Sequence, residues 1–454
     1  METPVTAPFE LELPGPAWRL LKEIIHWAPQ AGISRLALVG GAVRDGLRQQ
    51  LDQQQPAQQQ QLDQPLDQKL DQQQLDQQIG HPQSSDQQPL GQIPDLDVVV
   101  EGSAIALAQI LRKQLGEERI TKMSFHRAFD TVGLVIDGLP LDLASARQEI
   151  YPAPGENPRV SEGPLEADLA RRDFTVNAIA FDLDKGELLD PHAGCAALQA
   201  RQLLFLHGGS VADDPTRVIR GSRYAARLGF DLAPEALQQL RSTLRDWPWT
   251  WRPGQPPQLA PPALASRLGM ELALLMEREP WQVALAHLQH WGALPLLDAR
   301  LQADQHWRRR LHWARRFGVP MIPALLVGAG DPLAVAARLQ LADQQQRILA
   351  ESLALQEFLS SSEVADAWHD WTPARWCEAL EGRRWRPEAV ALTLCSGGAM
   401  WHQLLRWLQR WRHVRSPLSA QQLLAKGWLA GPDLGAELRR LRLEQVNRLE
   451  ARRR

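Results

Sequence analysis

The sequence predicts an α+β chain in which a small mixed sheet with helices precedes an all-helical remainder. Three observations carry this expectation. Two short apolar runs, one ending in Gly40-Gly41 and one opening behind acids at 95 and 97, have the length and β-branched content of strands. Between them lies a stretch, about Gln49 to Gly91, dominated by Gln and repeating Leu-Asp-Gln. From about Asp213 onward, Leu, Ala, Gln, Arg and Trp recur at helical spacing, interrupted by Pro and Gly.

The elements follow in order. Leu36–Val39 predicts a strand, Gly40-Gly41 a turn, and Val43–Leu47 the start of a helix. The Gln-rich stretch is almost free of aromatic and β-branched residues. It cannot bury enough surface to offset its ordering entropy, so a disordered inserted loop is expected there. Asp95-Leu96-Asp97-Val98-Val99-Val100 resumes as a buried strand, and a helix follows over about Ser103–Gly116. Thr131–Ile136 and Leu139–Leu143 predict strands, as do Ala178–Leu183 and Glu187–Asp190. Asp214-Pro215 is a helix start, with an acid at the cap and Pro at the first position.

The chain has 454 residues, enough for two to four domains. Its three cysteines, Cys195, Cys377 and Cys395, are far apart and lack CxxC spacing. That argues against a disulfide framework or structural zinc and fits a reducing cytoplasm. No apolar run reaches the length of a transmembrane helix, and the first residues do not resemble a secretory signal. Net charge is −3, but acids gather in the first half and arginines in the second, including Arg308, Arg309, Arg310, Arg315, Arg316 and Arg452 to Arg454. This asymmetry is compatible with RNA binding by the C-terminal part. Trp368, Trp371, Trp376, Trp385, Trp401, Trp407 and Trp411 are expected mainly to pack helices, with a few available to stack on bases.

Asp95 and Asp97, two apart on a strand, point to one side of the sheet. Two close carboxylates are costly to bury without a cation, and Mg²⁺ commonly sits between carboxylates and substrate phosphates. Gly40-Gly41 after a strand lets backbone N–H groups approach phosphates. With Asp142 as a third acid, the set suits two-metal, in-line attack of a 3′-hydroxyl on an α-phosphate. Arg171 and Arg172 beside Asp173 read, taken alone, first as a surface ion pair and, near a phosphate-binding turn, as a triphosphate clamp. Asp214, Arg217, Arg220 and Arg223, spaced by three, share one drifting helix face.

Four segments occur together in a known order: Leu38-Val39-Gly40-Gly41-Ala42-Val43-Arg44-Asp45, the pair Asp95/Asp97, Arg171 to Ala178, and Asp214 to Phe230. Jointly they resemble class II tRNA nucleotidyltransferases and bacterial poly(A) polymerases, of the polymerase-β-like superfamily. Gly427 to Gly435, followed by a basic helix, is similar to the family's tail segment. The resemblance implies a nucleotidyltransferase head over 1–205, a neck over 206–255, a body over 256–370 and a tRNA-binding tail over 371–454. It implies CCA addition to the tRNA 3′ end from CTP and ATP. Asp95 and Asp97 would bind Mg²⁺, with Asp142 the third carboxylate. Gly40, Gly41, Arg44 and Arg172 would hold triphosphate and ribose, with Asp173 in support. Asp214 and Arg217 would read the incoming base, and Arg220 and Arg223 would continue to the nucleotide phosphates. Cytosine and adenine each offer an amine beside a ring acceptor, matching a carboxylate beside a guanidinium. Uracil and guanine present the reverse pattern and are rejected because buried polar groups lose their partners.

Departures from the family pattern are the long insertion, Asp213 where Glu is common, and Gly221 where Ala is common, which softens the helix by roughly 1 kcal/mol. The segment Arg147 to Val160, with its Pro-rich centre, is a candidate for the loop that sets nucleotide choice. Specialists adding only CC or only A, and poly(A) polymerases, share the motifs. A non-catalytic RNA-binding protein is the alternative from another class, opposed by the intact acids. His369-Asp370 lacks the further ligands that a metal phosphohydrolase needs.

Overall fold

The computed structural model describes residues 13–54 and 95–452. The expectation of a loop within 55–91 lies outside the described residues. Gln49 to Gln54, expected to open that loop, instead continue a helix, because Gln and Leu are good helix formers. The chain forms two compact units. The first holds Met1–Ala153, Asn157–Asp213 and Leu228–Gln239; the second holds Pro154–Glu156, Asp214–Arg227 and Leu240–Arg454. The stretch 206–255, expected as a neck, is divided between them: 206–213 and 228–239 fall in the first unit, 214–227 and 240–255 in the second.

The first unit is built on a seven-stranded mixed sheet of order β3-β4-β5-β2-β1-β8-β9. In chain order its elements are α1 (Gly15–Trp27), β1 (Arg35–Val39), α2 (Gly41–Gln54), β2 (Leu96–Glu101), α3 (Ala104–Leu115), β3 (Ile120–His126), β4 (Thr131–Ile136) and β5 (Leu139–Ser145). After these come the two-stranded hairpin β6 (Arg147–Ile150) and β7 (Arg159–Glu162), α4 (Leu165–Ala170), β8 (Ala180–Asp182) and β9 (Glu187–Leu189). β2 runs antiparallel to β1 and parallel to β5.

Alternation along the strands decides which face is core. Leu139, Leu141 and Leu143 on β5 and Val132, Leu134 and Ile136 on β4 are buried where α3 covers the sheet. The opposite positions, Pro140, Asp142, Ala144, Thr131, Gly133 and Val135, are not buried. Further across, this second face does close: Ala37, Val39, Val99, Ala178 and Ala180 pack with Leu165 and Leu169 of α4. The second face is therefore covered over β1 and β8 and open over β4 and β5, with the acids at the transition. The segment 147–160, expected as a loop, is the β6–β7 hairpin, paired from Arg147↔Glu162 to Ile150↔Arg159.

The second unit is helical. It includes α5 (Thr216–Leu228), whose last residue falls in the first unit, and α6 (Ser266–Arg278). Its C-terminal core gathers Leu355, Trp376, Leu380, Val390, Leu394, Leu404, Trp407, Trp411 and Val446. Trp368, Trp371, Trp385 and Trp401 pack partly buried against it, so the tryptophans serve helix packing as expected. The region after Asp213 is not wholly helical. Asp231–Leu232 pairs in parallel with Gln202–Leu203, both in the first unit, and two residues are too few to give a period-2 signal.

Candidate active site

The acid cluster of the first unit is set by strand register. Asp97 is paired with Val39 on β1 and with Asp142 on β5, so both carboxylates project from the same face. Asp95 lies exposed just before β2. Burial, reinforced by the like charge of Asp142, pushes the Asp97 carboxyl up to about 6, while Arg172 and Arg44 oppose the rise. The Asp142 carboxyl is raised by burial and by Asp95. Among the described residues no side chain hydrogen-bonds or ion-pairs with any of the three acids. Nor do three acidic, imidazole or thiol groups converge there into a closed metal cage. The donor set is an open half-shell of hard oxygen ligands, which fits a divalent cation that also takes phosphate oxygens.

Gly40 ends β1 with φ 70, the left-handed region that favours glycine. A Cβ there would stand 2.8 Å from Asp97 Oδ2. The turn thus lets the backbone pass directly against Asp97, and α2 then starts at Gly41, leaving the first N–H groups of the helix without intrahelical partners.

The basic residues form one network, with Arg44 buried and Arg171 and Arg172 partly buried. Arg44 donates from Nε and Nη2 to Asp45 Oδ1 and Oδ2 at 2.9 and 3.1 Å, and from Nη1 to Asn177 Oδ1 at 2.8 Å. Asn177 Nδ2 donates to Asp173 Oδ1 at 2.9 Å, and Arg172 Nη1 to the Asn177 carbonyl at 3.2 Å. Asp173 also accepts from the Phe174 N–H at 2.9 Å. Asp173 thus holds the Asn177 side-chain amide, and Asn177 links Arg44 to Arg172.

Asp168 is the residue the sequence reading missed. Its fully buried carboxylate accepts from Arg171 through Oδ1 at 2.6 Å and from Arg172 through Oδ2 at 2.9 Å. Burial alone would raise it, but Arg172 and Arg171 together hold it below the ordinary carboxylate range. Arg171 also reaches Glu149 on the hairpin at 3.0 Å. The available signal was the spacing: Asp168 stands three and four residues before the two arginines.

The remaining expected residues lie in the second unit. Asp214 is buried, and its Oδ1 accepts from the Thr216 N–H at 3.1 Å and the Thr216 hydroxyl at 2.6 Å. Its Oδ2 accepts from Arg267 of α6. Arg217 is buried one turn on. Arg220 lies 3.7 Å from Glu271, and Arg223 pairs with Glu271 and Glu279 of the same partner segment. The structure thus engages Arg223 with two acids, whereas the resemblance placed it on nucleotide phosphates. Helix α5 runs unbroken through Gly221.

The chain is similar to known proteins over most of its length. Residues 36–204 match the family model described as the poly A polymerase head domain. The CC-adding tRNA nucleotidyltransferase of Deinococcus radiodurans is 37% identical over 287 residues, 58% of this chain and 67% of that protein. The A-adding tRNA nucleotidyltransferase of Aquifex aeolicus is 38% identical over 156 residues, 34% of this chain and 18% of that much longer protein. A solved CCA-adding enzyme in apo form II shares the fold with a TM-score of 0.66 at 20% identity, covering 96% of this chain and 93% of that one. With 37% identity to a relative of which two thirds is matched, the chain belongs to the class II tRNA nucleotidyltransferase family.

Proposed function

We propose that the protein adds nucleotides to the 3′ end of tRNA without a nucleic-acid template, completing CCA from CTP and ATP. The observation that carries this reading is the in-register pair Asp97/Asp142 beside the Gly40 turn and the Arg44–Asn177–Arg172 cluster. Asp95 and Asp97 would hold Mg²⁺, with Asp142 as third carboxylate. A divalent cation bound there supplies charge neutralisation for the triphosphate and for the oxygens that enter and leave phosphorus. Gly40, Gly41 and the α2 N-terminus receive phosphate oxygens, and Arg44 and Arg172 hold triphosphate and ribose. The RNA 3′-hydroxyl attacks the α-phosphorus; its P–O bond forms as the α–β anhydride breaks and pyrophosphate leaves. Asp142, on the open part of the face, takes the hydroxyl proton. Asp214 accepts from the base amine and Arg217 donates to the ring acceptor. The three cysteines, Cys377 and Cys395 buried and Cys195 half-buried, are free thiols, which supports a reducing cytoplasm as the site of action.

A specific observation favours a second reading, a specialist that stops after CC. The relative matched over 287 residues carries that activity in its name, whereas the A-adding match is confined to 156 residues. Purified protein with Mg²⁺ is given tRNA transcripts lacking CCA, ending in C, or ending in CC, with CTP, ATP or both. Completed CCA supports the full enzyme, arrest after two C residues the specialist, and long A tails a poly(A) polymerase. Absence of transfer to every transcript would refute the catalytic assignment.

A further inference from the structure

Helices α5 and α6 of the second unit are joined by a ladder of opposite charges. At the start of α5, Asp214 meets Arg267. One to three turns on, Arg220 and Arg223 meet Glu271, and Arg223 and Arg227 meet Glu279 just beyond α6. The signs invert between the first rung and the others: the acid is on α5 at the rung that faces the base and on α6 elsewhere. An acid at Asp214 with an acid opposite would repel, so this rung requires a base at 267.

We infer that Arg267 is a specificity-determining positioning residue, holding the Asp214 carboxylate in the orientation that reads the amine of the incoming base. This rests on the base-reading role proposed above for Asp214. Three observations carry it. Asp214 is buried, so its orientation is set by its partners, and those partners divide its two oxygens: Thr216 on Oδ1 and Arg267 on Oδ2. Arg267 fixes from α6 what Thr216 fixes from α5, so both oxygens are held and the carboxylate cannot rotate. A carboxylate's oxygens accept, so in this orientation it matches an exocyclic amine and opposes a carbonyl oxygen. Finally, Arg267 Nη1 is itself buried and has no hydrogen-bond partner among the described residues. A buried guanidinium donor without a partner is unfavourable, so its retention beside Asp214 points to a role for Arg267 beyond packing.

The test compares the parent protein with Arg267→Met, Arg267→Lys and Asp214→Ala, each as the full chain. The readouts are kcat/KM for CTP, ATP, UTP and GTP on a tRNA acceptor, with KM for the acceptor measured separately. Arg267→Met should lower the preference for CTP over UTP by about tenfold or more, as Asp214→Ala does, because each leaves the reading carboxylate lost or misdirected. The acceptor KM should stay within about twofold of the parent, since RNA is not the ligand of this rung. Arg267→Lys, which keeps the charge but not the forked donor, should restore part of the preference. It also carries the test if the Met variant does not fold. Discrimination unchanged in both Arg267 variants while Asp214→Ala relaxes it would overturn the role of Arg267 alone. Discrimination unchanged in all three would overturn the base-reading assignment and this inference with it.

Discussion

Replacing Asp97 by Asn should stabilise the metal-free protein while ending catalysis. In the fold, burial and Asp142 move the Asp97 carboxyl from its ordinary 3.8 to about 6. Two units at ~1.4 kcal/mol each correspond to an ionisation penalty of about 3 kcal/mol above pH 6. The sign follows from proton binding. Between about pH 4 and 6 the native state holds a proton at Asp97 that the unfolded chain has released, so native stability falls as pH rises through that window. Asn has nearly the same shape and no charge, so the penalty disappears and the burden on Asp142 is also relieved. Urea denaturation in EDTA should therefore show Asp97→Asn more stable than the parent by about 2–3 kcal/mol at pH 7.5, with the difference shrinking towards zero below pH 4. Millimolar Mg²⁺ should stabilise the parent and leave the variant unmoved, because ligand binding to the native state alone raises stability. Nucleotide transfer by the variant should be undetectable. If Asp97→Asn proved less stable at pH 7.5 in EDTA, the carboxylates would not be a strained pair awaiting a cation, and the metal assignment would fall.

Four further outcomes are expected. Asp168→Ala leaves Arg171 and Arg172 without their buried counter-ion, and thermal or urea melts should show a loss of about 2–4 kcal/mol, discounted because both guanidinia are partly solvated. Since the Asp168 carboxyl is depressed, its contribution is present above the ordinary Asp range and lost in acid, so the deficit should narrow as pH falls below that range. Gly40→Ala combines a left-handed backbone with a Cβ 2.8 Å from Asp97 Oδ2, and should cost about 1–3 kcal/mol and most of kcat; a fully active variant would contradict the close approach. At Gly133 on the open face a Cβ would lie 3.1 Å from Asp142 Oδ1 and 2.9 Å from Ser124 Oγ, so Gly133→Val should reduce kcat in a folded protein, checked by single-turnover transfer. Asp214→Ala should relax the choice of CTP and ATP over UTP and GTP, read from competition between nucleotides on one acceptor.

Much of this was legible in the chain because it is local. The strand before Gly40-Gly41, the i,i+2 acids, the acid and Pro opening the helix at 214 and the helical spacing of the tryptophans each follow from backbone period and steric preference within a few residues. The resemblance of those segments to one family then supplied the chemistry. Tertiary structure decided what depends on pairing and burial. Asp142 became the partner of Asp97 through the parallel register of β5 on β2, which no local pattern encodes. The segment 147–160 became a hairpin because its ends pair with each other across a Pro-rich centre. Arg171 and Arg172 had two open readings as a dipeptide; burial of Asp168 between them turned them into an anchored cluster. The resemblance assigned Arg223 to nucleotide phosphates, and in the fold Glu271 and Glu279, far along the chain, engage it. Local sequence can specify the period of an element and the chemistry it carries; which charge meets which partner is fixed only when distant segments are brought into a low-dielectric interior, where an unpaired charge is too costly to keep.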